Sequence, residues 1–214
     1  MEDIEEESKI SHGFDRGVDY DVMKDKFINC INKLKEKIDK DNKPIDIKRL
    51  VYCTLASIQL ANGSRISEAV RAFVIFLKRG IGKRVEVKIS KSGAIKVMKD
   101  GNKKKTKVRY REMQWAPWIT DDVYQIMKDN EIVEAMIEAG TLKKRTLDFL
   151  LINFECNTHS LRYAFVNHAL YVWKRPISDV AKFVGHANTA QMVTYTQLKN
   201  SNQMFDLVKD EDKK

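Results

Sequence analysis

The stretch VEVKISKSGAIKVMK, residues 85–99, alternates apolar and polar side chains with a period of two. That period is typical of a β-strand with one buried and one exposed face, and its Ser92-Gly93 pair is typical of a turn. A second turn signal, Asp100-Gly101-Asn102, follows, and the alternation then resumes. We therefore expect a three-stranded antiparallel sheet at about 84–90, 94–99 and 105–112. Its apolar face should carry Val85, Val87, Ile89, Ile95, Val97, Val108 and Tyr110.

On both sides of this sheet, apolar residues recur at helical spacing. We expect helices at about 20–40, 46–61, 65–78, 120–138, 142–152, 159–173, 177–184 and 189–198. Asn62-Gly63 should end the second helix, and Ser64 should cap the third, with Glu68 in its first turn. The predicted fold class is therefore α+β, mainly α-helical with a small three-stranded antiparallel sheet.

The composition allows a folded core and excludes several classes of protein. The chain has 214 residues, of which 43% are hydrophobic and 32% charged, so wholesale disorder is not expected. No apolar run reaches the roughly 18 residues that cross a bilayer, and the acidic N-terminus is unlike a secretory signal. Three widely spaced cysteines without a CxxC pair argue against a disulfide framework or a zinc site. We expect a cytoplasmic protein with no membrane partner.

The net charge of +9 is unevenly distributed along the chain. Residues 1–19 hold seven acidic residues against two basic ones, whereas residues 78–111 hold fourteen basic residues against two acidic ones. A solvated charged surface is the simplest interpretation of such a run, but the alternation favours strands with one apolar and one cationic face, and the basic balance favours a nucleic-acid partner. The acidic segment is interpreted as a solvating tail. The alternative is that it folds over the basic face and competes with DNA.

Three short motifs carry the candidate chemistry. His159-Ser160-Leu161-Arg162 places an imidazole and a guanidinium one helical turn apart. Gly185-His186 follows a helix end, where glycine is a common cap, and Tyr195 stands nine residues later. Arg65 lies at the positive end of a helix, where its charge is unfavourable, which indicates a bound anion. Taken singly, each motif is also compatible with a surface pair, a helix cap or a packed side chain.

Together these motifs resemble the catalytic domain of tyrosine recombinases, the integrases and Xer-type recombinases. The family's arginine box appears as Gly63-Ser64-Arg65-Ile66-Ser67-Glu68, and its His-x-x-Arg box as residues 159–162, followed by Phe165. Its Leu-Gly-His box appears as Val184-Gly185-His186. The resemblance spans about residues 46–200 and implies the tyrosine recombinase catalytic-domain fold. The catalytic residues that it implies are Arg65, Lys99, His159, Arg162, His186 and Tyr195.

The sequence departs from the family pattern in three places. The hairpin turn between Lys99 and Lys103 carries Asp100 and one extra residue, so Lys99 is favoured as the catalytic lysine, Lys103 is second and Lys91 is a weaker candidate. Tyr163 stands where many relatives have histidine. Only about 45 residues precede the catalytic region, where the family usually has a core-binding domain, so the chain is either a catalytic fragment or a minimal form. The expected divisions are an acidic flexible tail (1–19), an N-terminal helix (20–42), the catalytic domain (43–200) and a C-terminal tail (201–214).

The resemblance also implies a mechanism and partners. Tyr195 would form a 3′-phosphotyrosyl link to DNA, without a metal, ATP or another cofactor. The C-terminal tail would dock on a neighbouring protomer in a DNA-bound tetramer, and a monomer without DNA is compatible with this. Two alternatives remain at this point, a type IB topoisomerase and a non-catalytic DNA-binding remnant of an integrase. The lysines expected to contact DNA phosphates are Lys88, Lys91, Lys103, Lys104 and Lys105.

Overall fold

A computed structural model describes residues 18–90, 92–93, 95–97, 103–186 and 189–192. Within these residues the chain is mostly helical and carries four short strands. The helices are α1 (Tyr20–Asp41), α2 (Pro44–Asn62), α3 (Ile66–Arg79), α4 (Asp121–Met127), α5 (Glu131–Glu138), α6 (Leu142–Phe154), α7 (Thr158–Tyr171) and α8 (Ile177–Phe183). The strands are β1 (Val85–Lys88), β2 (Ile95–Val97), β3 (Lys103–Lys105) and β4 (Tyr110–Met113), and a short 3-10 helix covers Thr189–Met192.

Helix α2 is the centre of the core. Its side chains are buried almost without interruption from Leu50 to Asn62, and α1, α3, α6 and α7 pack around it. Pro44 occupies its first turn, where a missing backbone N–H is tolerated, and Gly63 ends it in the left-handed conformation with φ of 54°. Helix α1 contributes an apolar stripe that includes Phe27 and Ile31 to the same core. The end of α2 therefore sits where several elements meet.

The expected fold class is confirmed, but the sheet differs from the prediction. Four short strands form two antiparallel ladders, β1 with β4 and β2 with β3, instead of three continuous strands. The predicted third strand, 105–112, is divided because its two ends pair with different partners. A turn in which Ser92 donates to the carbonyl of Ile89 ends the first strand, so the β1–β4 ladder does not extend to residues 106–108.

The predicted apolar face of the sheet is correct on β1 and wrong elsewhere. Val85, Val87 and Ile89 are buried, whereas Ile95 and Tyr110 are 65% and 56% exposed. Val108 is exposed as well, and the side chain of Val97 lies outside the described residues. On β4 the buried side chains are Arg111 and Met113, the opposite parity. The reason is that Arg111 has buried partners inside the protein, as described below.

Two expected helix boundaries are also wrong. The helix expected at 120–138 is two helices, α4 and α5, because Asp129 adopts a positive φ of 53° and Asn130 caps α5 through its side chain. The N-cap of α3 is Arg65 and not Ser64, since the Glu68 carboxylate accepts the Arg65 backbone N–H at 3.2 Å. Of the helix expected at 189–198, only the 3-10 segment lies within the described residues. In the described part of the chain, every helix is too short or too polar to cross a membrane.

Candidate active site

Arg162 is the anchor of the candidate site. Helix α7 begins after Asn157, whose side-chain oxygen accepts the backbone N–H groups of His159 and Ser160. Arg162 lies in the second turn and is fully buried. Its Nη1 donates to the carbonyl oxygen of Gly63 at 2.7 Å, and its Nη2 donates to that of Val184 at 2.9 Å. The guanidinium is therefore held by backbone carbonyls from two distant parts of the chain.

His186 is placed directly against this guanidinium. Its Nε2 lies 2.8 Å from Nη2 of Arg162. The position is set by the end of α8, where Gly185 adopts a φ of 77° and the His186 N–H reaches back to the carbonyl of Ala181 at 2.9 Å. A Cβ at position 185 would lie 2.9 Å from Cδ1 of Ile89. Only glycine therefore lets the α8 terminus approach β1 this closely.

Arg65 lies at the start of α3 and is half-buried. Its Nη1 forms a 3.2 Å ion pair with Oε1 of Glu68, which is itself fully buried. The same Glu68 oxygen accepts the Ser90 N–H at 2.9 Å. Burial opposes ionisation of Glu68, but the N–H of Ser90, the charge of Arg111 and the contacts to Arg65 outweigh it, so the pKa of Glu68 is lowered. Glu68 is therefore a fixed anion that orients Arg65.

Arg111 is a member of this cluster that the sequence reasoning missed. It is buried on β4, its Nη2 donates to the Asn62 carbonyl at 2.5 Å, and its Nη1 lies 3.6 Å from Oε2 of Glu68. Its guanidinium carbon sits 5.1 Å from the centre of the Phe183 ring. The pKa of Arg111 is lowered to about 10, chiefly by burial. The charge of Glu68 opposes this lowering, and the charges of Arg162 and Arg65 add to it. The guanidiniums of Arg65, Arg111 and Arg162 thus lie near one another.

A signal for Arg111 was present in the sequence. Arg111 and Met113 share one strand face, and an arginine on the face of a core methionine needs a buried partner. The partner, Glu68, is 43 positions away, and local alternation cannot reveal it. The apolar residues Val108 and Tyr110 led to the opposite parity.

The join between α2 and α7 brings His159 to the same place. Nε2 of Gln59 donates both to the Ser64 carbonyl, at 3.1 Å, and to the Thr158 carbonyl. A Cβ at position 63 would lie 2.3 Å from Cδ1 of Phe165, so Gly63 allows α7 to cross the end of α2 in direct contact. His159 is half-buried in the first turn of α7, with its ring 5.0 Å from that of Tyr163.

The structure therefore brings together four of the six residues expected to be catalytic, Arg65, His159, Arg162 and His186. Tyr195 and Lys99 lie outside the described residues, as does Lys91. Lys88 and Lys105 are exposed on β1 and β3, and Lys103 and Lys104 belong to β3, while their side chains lie outside the described residues. The arrangement concentrates guanidinium and imidazole groups in one place, and such a set suits a phosphate group with developing negative charge.

Comparisons with known proteins identify the family of this chain. The chain is 39% identical over 213 residues to “Putative integrase V10” of Sputnik virophage, covering 92% of this chain and 91% of that protein. It is 29% identical over 199 residues to “Putative integrase ORF241” of Acidianus two-tailed virus, covering 92% of this chain and 69% of that protein. No protein-family model matches. The similarity to V10 along nearly the whole of both chains, with the arginine and histidine boxes, shows that the chain belongs to the tyrosine recombinase/integrase family of DNA recombinases.

A solved structure is also similar to this chain. It is the XerH site-specific recombinase bound to a palindromic difH substrate in a post-cleavage complex. The TM-score is 0.44 at 15% identity, and the match covers 89% of this chain. The chain spans about half, 52%, of the length of that recombinase chain.

Proposed function

We propose that this chain cleaves and rejoins double-stranded DNA site-specifically through a 3′-phosphotyrosyl intermediate. The observation that supports this most is the contact between Nη2 of Arg162 and Nε2 of His186, with the guanidinium fixed by the carbonyls of Gly63 and Val184. These contacts hold the Arg162 guanidinium in a fixed orientation beside an imidazole, and a fixed guanidinium suits the negative charge that develops on a phosphate during phosphoryl transfer.

Each side chain then has a role in the proposed reaction. The phenolic oxygen of Tyr195 bonds to the scissile phosphorus while the bond from phosphorus to the 5′-oxygen breaks. The phenolic proton passes to His159, and a hairpin lysine, Lys99 in preference to Lys103 or Lys91, gives a proton to the departing 5′-oxygen. Rejoining reverses both transfers. The energy of the phosphodiester stays in the covalent link, so ATP is not required. The cationic side chains stabilise the developing charge, so a metal is not required either.

Arg65 and Arg162 would hold the two non-bridging oxygens, and His186 would donate to one of them. Arginine suits this because its planar fork matches two oxygens at once, whereas lysine presents a single point charge. Arg65 is half-buried and reachable from the surface, whereas Arg162 is fully buried. Binding of the phosphate to Arg162 therefore requires that the groups covering it move aside when DNA binds.

The basic sheet is the proposed surface for the DNA backbone. Lys88 and Lys105 are exposed on strands that lead away from the site, and Lys105 pairs with Ile95 across the β2–β3 ladder. Contacts of this kind set affinity and position but carry no sequence information. We propose that residues 43–200 form the catalytic domain and that protomers assemble as a tetramer on two duplexes through the C-terminal tail, 201–214.

The test is a nicked suicide DNA substrate, which loses a short fragment after cleavage and so traps a covalent adduct. We expect the full chain to form a DNA adduct that survives denaturation, and we expect Tyr195→Phe to abolish it. Tyr163→Phe is the matched control, because it removes a phenol near His159 and should leave the adduct. Arg162→Lys should lower the cleavage rate by about two orders of magnitude or more, since the paired donors are lost.

Three results would overturn the proposal. Stable binding of cognate DNA without any adduct would indicate a non-catalytic DNA-binding protein. Relaxation of supercoiled DNA without recombinant products would indicate a type IB topoisomerase. An adduct that persists in Tyr195→Phe would show that another residue is the nucleophile.

A further inference from the structure

A positively charged groove lies between α1, α2 and α6, outside the candidate active site. Its volume is about 500 Å³, and four cationic side chains line it: Lys26, Lys33, Lys37 and Arg49. Lys26, Cys30, Lys33 and Lys37 are spaced by four, three and four positions, so they share one face of α1 over roughly 16 Å. Among the described residues that line it, none is acidic. Within the described part of the chain, the one carboxylate that pairs with these cations is Asp46, whose Oδ1 lies 3.8 Å from Nη1 of Arg49.

A half-buried thiol, Cys30, lies within this groove. It lies beside Cys53 of α2, whose Sγ–H donates to the carbonyl oxygen of Phe27 at 3.7 Å. The neighbouring Cys53 thiol lowers the pKa of Cys30, burial opposes this, and the charges of Arg49, Lys33 and Lys37 lower it further.

The pKa values of the other two thiols, Cys53 and Cys156, are raised and not lowered. Burial raises the pKa of Cys53 well above its ordinary value, and the neighbouring Cys30 raises it further. Burial raises the pKa of Cys156 to about 11, with a small opposing effect from Lys26. Because the thiolate is the nucleophile, Cys30 is the thiol expected to react.

We propose that Cys30 is a modification site that takes anionic disulfides from solution and holds them as a mixed disulfide in the groove of α1, α2 and α6. The Cys30 thiolate attacks one sulfur of the disulfide R–S–S–R, and the Cys30–S–S–R bond forms as the original S–S bond breaks. The second sulfur leaves as R–S⁻ with the bonding electron pair and takes a proton from water. The thiol proton of Cys30 has already passed to solvent.

The groove determines which disulfides react. Its cations attract a carboxylate-bearing reagent before the reaction and pair with the attached group afterwards. Glutathione disulfide, which carries several carboxylates, belongs to this class. Cys53 could in principle displace the attached group and form a disulfide with Cys30, but its raised pKa keeps it as an unreactive thiol. The mixed disulfide should therefore accumulate.

The experiment compares two probes on the native full chain. One is 5,5′-dithiobis(2-nitrobenzoate), which is anionic, and the other is 4,4′-dithiodipyridine, which is neutral. We expect Cys30 to react about tenfold or more faster than the other two thiols, and mass spectrometry of the wild-type chain should map the first adduct to Cys30. Oxidised glutathione should leave one attached glutathione per chain.

Charge variants separate attraction from thiol reactivity. Lys33→Gln with Lys37→Gln should slow the anionic probe roughly three- to tenfold and affect the neutral probe much less. Lys128→Gln, on the exposed end of α4, is the control and should change neither rate. First labelling at Cys156, an equal effect on both probes, or a Cys30–Cys53 disulfide in place of the adduct would overturn the proposal. None of these outcomes depends on DNA cleavage.

Discussion

At the scale of single residues, the charge network behind the candidate site depends on Glu68. It is the one fully buried carboxylate that the structure places among Arg65 and Arg111, and it also accepts the N–H of Ser90. A buried anion with several donors is stable only while they remain, because removing one leaves the charge poorly compensated. Arg111 is the most buried of its ion-pair partners, since its side chain is 4% exposed and that of Arg65 is 25% exposed.

Arg111→Leu should lower the free energy of unfolding by about 3 kcal/mol, because Glu68 and the Asn62 carbonyl each lose a buried partner. The double variant, Arg111→Leu with Glu68→Gln, should lose about 1–2 kcal/mol less free energy of unfolding than the sum of the losses in the two single variants. Urea denaturation of the wild type, both single variants and the double variant measures this coupling.

A second arginine pair provides the control. Arg84 and Glu112 are joined at 3.3 Å, but their side chains are 69% and 68% exposed. Arg84→Leu should change the free energy of unfolding by no more than about 0.5 kcal/mol. Similar losses from Arg84→Leu and Arg111→Leu would show that burial of the Arg111 pair has no energetic importance.

At the scale of elements, the crossing of α2 and α7 positions the site. Gly63 ends α2 with a positive φ of 54°, lies against the ring of Phe165, and offers its carbonyl to Arg162. The end of α2, the packing against Phe165 and the hydrogen bond to Arg162 therefore all depend on Gly63. A displacement of α7 here would move His159 and Arg162 together.

Gly63→Ala should destabilise the protein by about 2–3 kcal/mol, because left-handed strain adds to the clash with Phe165. Gly140→Ala is the matched control. Gly140 has a similar φ of 64°, but an added Cβ would meet nothing within 4 Å, so only the strain of about 1 kcal/mol applies. Thermal unfolding of both variants measures the difference. Equal losses of stability in the two variants would show that the Phe165 ring moves aside without a cost in free energy.

Some features of the helices and strands were predictable from the sequence, and others were not. The helices were predictable because the apolar period is local, and the Asn62-Gly63 and Gly185 ends were predictable from cap chemistry. The division of the third strand was not predictable, since its ends pair with β2 and β1, which are separated in sequence. Arg111 was missed for a related reason, because its inward orientation depends on the distant Glu68.

At the scale of the whole molecule, positive charge is concentrated on the sheet. The run Lys103–Lys105 alone places three consecutive lysines in β3, next to an antiparallel partner that includes Lys96. Without a polyanion, these like charges repel one another across the ladder. DNA would relieve the repulsion and release counterions, so binding should weaken steeply as salt rises.

Replacing Lys103, Lys104 and Lys105 by glutamine should make the dependence of log K on log salt concentration shallower by about 2–3. The control removes the same net charge elsewhere, at Lys128, Lys143 and Lys144, which are exposed on or beside α4 and α6. Fluorescence anisotropy of labelled duplex DNA over a salt series gives both slopes. An unchanged slope in the β3 variant, or an equal change in the control, would contradict a DNA contact at β3.

The two carbonyls that hold Arg162 have a consequence for the newly made chain. Gly63 lies 99 positions before Arg162, and Val184 lies 22 positions after it. Contacts of such long sequence separation form late, after the intervening segments have folded. A chain still on the ribosome cannot complete the arrangement until residue 186 has emerged and α8 has docked. The geometry proposed for phosphate binding thus depends on three segments that are distant in sequence, and a chain without α8 should not hold Arg162 in this position.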